Sequence, residues 1–185
     1  SIFILGSPGF SALPGAAAPA ATPLVDGVVD AVYGAPVAVD SGGDGNGNAV
    51  MDLLELYVTD DASYVYFAFS INADISGTDW GKYILYLDTD GIPGSGATSD
   101  AWGRNVAAAS EHLPEFSINT WVDSAPYGTD DIQFWGWGGT AWNLIGTISE
   151  AALGAGATSV IEWKVAKADL GSPNGFWAEV YSTGG

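Results

Sequence analysis

From Leu54 onward, large apolar residues recur at every second position in short runs, each closed by Gly, Asp, Asn or Pro. A period of two is the signature of strands that bury one face, because successive side chains on a strand point to opposite sides. Leu54, Leu56 and Val58 alternate with Glu55, Tyr57 and Thr59. Asp60-Asp61-Ala62 then turns the chain into a run over residues 64–71 with an aliphatic and Phe face and a Tyr and small-residue face. Further strands are predicted over residues 82–88, 116–122, 131–137, 141–147, 160–165 and 176–181. Gly138-Gly139 between two aromatic runs is a hairpin signal. Helix is expected only as single turns near Ala151 and over residues 166–170, the second stopped by Gly171. Many short strands at regular spacing imply an all-β fold, an antiparallel β-sandwich of the jelly-roll kind. By length, one such domain is expected, over residues 25–185.

Residues 1–24 are of another kind. Pro8, Pro14, Pro19 and Pro23 forbid a helix, and the Ala, Pro, Gly and Ser around them suit an extended arm. At its start Ile2-Phe3-Ile4-Leu5 has strong β propensity, with Phe10 and Leu13 following. Such a run can complete an open sheet edge by strand addition, so Ile2, Phe3, Ile4, Leu5 and Phe10 are expected to bind a neighbouring subunit. Burying four large apolar side chains at roughly 1.5 to 3 kcal/mol each gives about 6 to 12 kcal/mol before ordering costs. Fully extended, 24 residues reach at most about 80 Å, against a domain diameter of about 40 Å. The rival reading folds the arm back onto its own domain. The chain begins at Ser1 without Met, as a processed, secreted chain does.

Charge narrows the partners. Four Lys+Arg stand against 22 Asp+Glu, a net charge of −18. Four cations cannot build a basic patch, so neither nucleic acid nor an anionic membrane surface is expected as a partner. No apolar run of 18 residues free of Pro and Gly exists, which argues against a membrane span. Without cysteine there is neither a disulfide framework nor thiol chemistry. The acids are mostly Asp, which prefers turns and caps, and they gather in Gly-rich loops. Lys82, Arg104, Lys164 and Lys167 are so few that each is expected to pair with a nearby acid.

Two of those loops suit a hard cation. Asp88-Thr89-Asp90-Gly91 places carboxylates at i and i+2, and Asp100 returns to close the shell. Asp40, Asp44, Asn46 and Asp52 form the second group, with Asn48 among them. Calcium, which takes six to eight oxygens, is the cofactor these loops would accept. The EF-hand register fails, because Ser99 stands where its terminal Glu belongs. Zinc is not expected with one His and no Cys. Trp135 and Trp137 share a strand face and Trp142 lies across the hairpin; the three either form a flat platform on which sugar rings stack or face the core, which alternation alone does not decide. Trp80, Trp102, Trp121, Trp163 and Trp177 are expected in the core or at subunit contacts. Catalysis is not expected. Asp60-Asp61 and Asp130-Asp131 are adjacent, so on a strand they point apart, and no Gly-x-Ser-x-Gly elbow accompanies His112, read as a solvated loop residue.

Leu24-Val25-Asp26-Gly27-Val28-Val29-Asp30-Ala31-Val32-Tyr33-Gly34, then LYVTDDASYVYFAFSI, WGKYILYLDTD, SDAWGR, VIEWKV and WAEVYSTGG, follow one family's order. Over residues 24–185 the chain resembles the C-terminal, DOMON-like carbohydrate-binding module of glucodextranase and pullulanase-type enzymes. That resemblance implies a β-sandwich, secretion, and attachment to glucan or to the cell surface. The arm is foreign to the pattern, and no catalytic domain accompanies the module in this sequence. Two functions are therefore expected in order: a subunit of an extracellular homopolymer joined by donor strands to copies of itself, and a free-standing α-glucan-binding protein.

Overall fold

The structure, a computed structural model, describes residues 2–6, 22–43, 45, 47–77, 81–106, 111–122 and 126–183, with backbone alone for 2–6. The expected all-β fold is present. Among the described residues, eleven strands form two sheets in which every pairing is antiparallel. They are β1 (Ile2–Gly6), β2 (Ala38–Val39), β3 (Leu53–Asp60), β4 (Tyr64–Ile71), β5 (Gly81–Asp88), β6 (Phe116–Val122), β7 (Ile132–Trp137), β8 (Trp142–Gly146), β9 (Glu150–Gly154), β10 (Ser159–Ala166) and β11 (Trp177–Thr183). One sheet has the order β1-β11-β5-β6-β7-β8 and the other β2-β3-β4-β10-β9. Among the described residues, helix is limited to three short 3₁₀ turns, and no helix is long and apolar enough to cross a membrane.

The core lies between the sheets and follows from the alternation. Val65, Phe67, Phe69 and Ile71 of β4 meet Tyr83, Leu85 and Leu87 of β5, with Ile161, Trp163 and Val165 of β10 beside them. Trp163 is fully buried, its ring 4.9 Å from Phe69 and its N–H donating to the Tyr127 hydroxyl at 2.8 Å. Each large side chain so buried contributes roughly 1.5 to 3 kcal/mol.

Two expectations are corrected. A bulge shifts the β3 register between Leu53 and Glu55, so Leu53, not Leu54, joins Leu56 in the core. The turn of helix near Ala151 is instead strand β9, paired from Gly154 to Glu150 against Val160 to Lys164. Ala and Glu favour helix locally, but packing Ala151 and Leu153 against the core overrides that weak preference.

The outer face of the β4 sheet is covered by the chain itself. Residues 22–34 cross it, and Val25, Val29 and Tyr33 pack on Tyr57, Tyr64, Tyr66 and Ala68. The anchor is Glu162, fully buried on β10. One carboxylate oxygen accepts the backbone N–H groups of Asp26, Gly27 and Val28 at 2.9, 2.7 and 3.2 Å, and the other accepts the Tyr33 hydroxyl at 2.9 Å. At one edge of the other sheet, β1 runs along β11 with Ile4 level with Glu179.

Candidate functional site

The loop between β5 and β6 carries the densest chemistry. Antiparallel pairing sets Leu87 level with Phe116, so the end of β5 and the turn after it stand beside the residue before β6. Asp88, Asp90 and Glu115 thereby bring one carboxylate oxygen each within 4.8 Å of one another, an arrangement that could hold a metal ion. Asp88 is buried, Glu115 half-buried and Asp90 exposed at the mouth. Asp88 accepts the N–H groups of Asp90 and Gly91 at 3.2 and 2.7 Å, which closes the turn, while its other oxygen lies 2.8 Å from His112 Nδ1. Glu115 accepts the Thr89 N–H at 2.8 Å through Oε2. Its Oε1 is buried and has no hydrogen-bond partner among the described residues.

That environment disfavours a free negative charge. Burial pushes the Glu115 carboxyl up to about 7; the charges of Asp90 and Asp88 add to the rise, and the Thr89 N–H opposes it. A cation shared by the three acids would reverse the balance and engage the unpartnered oxygen. Gly96, at φ +90°, lets the loop close over this point: a Cβ there would stand 2.3 Å from the Leu113 carbonyl oxygen. Beside the acids, Thr89, Asp90, Gly91, Asn174, Gly175, Phe176 and Trp177 line an open cleft of about 280 Å³.

The predicted cation ligands divide. Asp88 and Asp90 do come together, but Asp100 does not join them. Its buried carboxylate is engaged by Arg104, with Nε at 2.6 Å and a terminal nitrogen at 2.5 Å, and by the Tyr86 hydroxyl at 2.9 Å. The Arg104 guanidinium also lies 5.5 Å from the ring of Tyr181 on β11, which ties residues 99–106 onto the sheet. In the second loop, Asp52 is buried and accepts from Gly43 N–H at 2.7 Å and Asn72 Nδ2 at 2.8 Å. Asp40 accepts from Ser41 N–H at 2.8 Å. These bonds close turns. Asp44 and Asn46 lie outside the described residues, as do Phe10 and Trp80, and the side chains of Ile2, Phe3, Ile4 and Leu5 are not described.

Arg104 meets Asp100, Lys164 meets Glu150 at 3.2 Å, and Lys167 meets Asp60, as expected. His112 is not a solvated loop residue. It is half-buried and stacks on Trp177 at 3.9 Å and 17° while meeting Asp88.

Indole rings gather on the outer face of the β6-β7-β8 sheet, because Ile118, Ile132 and Phe134 take the core positions. Trp102 and Trp135 both donate to Gln133 Oε1, at 3.1 and 3.3 Å. Trp102 and Trp121 lie 6.0 Å apart, and Trp137 and Trp142 5.6 Å apart. Trp142 donates to the Ser99 carbonyl oxygen at 2.7 Å. All five are half-buried, so part of each ring faces solvent. Of the Trp residues expected in the core or at subunit contacts, Trp163 alone among those described is fully buried.

No family model matches the chain, and neither does a curated protein or a solved structure. Glu115, His112 and Glu162 escape a sequence reading, because each acquires its role through strand pairing. A signal for Glu115 does exist: it directly precedes a strand expected beside the one that ends at Asp88.

Proposed function

We propose that the chain is the structural subunit of an extracellular homopolymer, joined by exchange of its N-terminal strand between neighbouring β-sandwiches. The observation that carries this reading is the placement of β1. It enters the sheet as an edge strand, held in a five-residue register by β11, and residues 7–21 separate it from the first described residue of the body. That intervening length spans up to about 50 Å when extended, more than a domain diameter of about 40 Å. The same register can therefore be filled by a neighbour's arm. Main-chain bonds supply affinity in such strand addition, and an exchange that does not close on itself propagates as a filament.

Calcium at Asp88, Asp90 and Glu115 belongs to this reading. The site favours a hard, oxygen-seeking ion, and the unpartnered Glu115 oxygen supports one. Bound there, calcium would pin the loop between β5 and β6. A second reading, a secreted α-glucan binder, draws support from the outward-facing indoles and from the resemblance to the glucodextranase module.

A cysteine pair tests the exchange, since the chain has no cysteine of its own. Ile4 and Glu179 are cross-strand partners, so Ile4→Cys with Glu179→Cys should oxidise to a disulfide. Exchange gives bonds between chains, read as a ladder on a denaturing gel. Bonds wholly within single chains would overturn it.

A further inference from the structure

The four sheet edges are not treated alike. In the β4 sheet, β2 is two residues long, and β9 is closed at Gly154 by the backbone of Gly27. Short and covered edges are how soluble β proteins avoid pairing with one another. In the other sheet, β8 is different. Among the described residues its only strand partner is β7, it contains no charge and no Pro, and Leu144 and Ile145 are 55% and 48% exposed. The far edge of the same sheet is β1, equally uncharged and also five residues long.

We infer that β8 of one copy pairs with the outer edge of β1 on the next copy, continuing one antiparallel sheet through the polymer. The inference rests on the homopolymer reading. Three observations support it. The sheet has six strands, an even number, and each neighbour is antiparallel, so β1 and β8 run in opposite directions. A copy shifted along the sheet without being turned over then sets β8 antiparallel to the next β1. The seam repeats the sheet's own alternation and never closes on itself. Next, the lengths match, and the middle residue of one strand, Ile4, falls opposite the middle residue of the other, Leu144. Finally, the two longest charge-free stretches of a chain with net charge −18 are residues 1–25 and 132–149, which contain these edges. Two copies can meet there without setting carboxylate against carboxylate, which any other face of so acidic a surface makes harder. A pairing of five residues a side is too small to hold two proteins alone, so the seam acts together with the arm. It is indifferent to which copy owns β1.

Within one subunit β1 and β8 are five strand spacings apart, about 24 Å, beyond the reach of a disulfide. The test oxidises the full chain carrying Ile4→Cys and Leu144→Cys and reads the disulfide-linked peptide pair by mass spectrometry. The expected yield rises with protein concentration and falls at least tenfold when Ile145→Lys is added, while the circular dichroism spectrum and melting temperature stay unchanged. Absence of the linked pair overturns the seam. So does a concentration-independent yield, as from an arm reaching its own β8, or a yield untouched by Ile145→Lys. If that variant does not fold, Asn143→Lys, at another exposed position of the edge, takes its place. The Ile4 and Glu179 pair reports the arm's owner and this pair reports the seam, so either reading can fail alone.

Discussion

Gly27 and Gly154 meet backbone to backbone: a Cβ on Gly154 would stand 1.9 Å from the Gly27 carbonyl oxygen. This contact presses the 22–34 segment against the edge of β9. Only glycine fits on either side, and Gly27 also needs its φ of +85°. Gly154→Ala should cost about 1 to 3 kcal/mol, the usual range for overpacking. Gly156→Ala, where the nearest atom to a Cβ is Thr158 O at 3.4 Å, serves as the neutral comparison. Urea denaturation of the two variants decides. Equal midpoints would show that the contact opens without cost.

Glu162→Ala should do more harm than its single charge suggests. It removes the acceptor for three backbone N–H groups and one hydroxyl in a buried place. Each donor left unsatisfied costs about 1 to 3 kcal/mol, less whatever water recovers. A loss of at least about 3 kcal/mol is expected, with protease cleavage appearing first within residues 22–34. Cleavage elsewhere, or a loss below about 1 kcal/mol, would mean that this segment is held by apolar packing alone.

Calcium should stabilise the folded chain, and its effect should grow with pH. Glu115 is held up to about 7, chiefly by burial, from an ordinary value of 4.5. Its folded form therefore binds the proton more tightly than its unfolded form. Without a cation, the contribution of this group to stability is fullest below about 4.5 and is lost as pH rises through about 7. A bound cation offsets that loss, by about 2.7 kcal/mol at a hundredfold excess over its dissociation constant. Melting curves at pH 5 and pH 8, with calcium and with chelator, read both effects. Chelation should lower the melting temperature more at pH 8, and Glu115→Gln should remove the difference. Identical curves with calcium and chelator at pH 8 would rule the site out.

How much of this was legible in the sequence depends on how local the cause is. The alternation over Tyr64–Ile71 is decided within the run, and its two faces are the expected core and Tyr faces. The strand at Glu150 is decided by its partner. Nothing in Glu-Ala-Ala-Leu-Gly favours an extended chain until β10 lies beside it. The candidate metal cluster shows both cases. Asp88 and Asp90 are neighbours in sequence and were visible as a pair, whereas Glu115 joins them only because β5 and β6 pair. Asp100 suited a cation shell by spacing alone, but Arg104 at i+4 supplies a permanent charge that claims it. The direction in which Trp135 and Trp137 face was undecidable from alternation. It became settled once Ile132 and Phe134 were seen to fill the core.

The outward indoles give the glucan reading its own trial. Trp135 and Trp137 are half-buried, and neither belongs to the core between the sheets. Replacing either with Ala should therefore leave the fold intact and cost far less than Trp163→Ala. That core ring is fully buried, and its loss is worth about 3 to 5 kcal/mol. If the face binds sugar rings, both surface variants should lose retardation in starch- or dextran-loaded gels that slow the wild-type chain. Gln133 sharpens the test, because its Oε1 accepts from Trp102 and Trp135 together and so sets the plane of both rings. Gln133→Leu should weaken retardation while leaving both indoles in place, an effect that simple loss of apolar area would not produce. Wild-type migration identical with and without every glucan tried would remove the binding reading and leave these rings to subunit contacts.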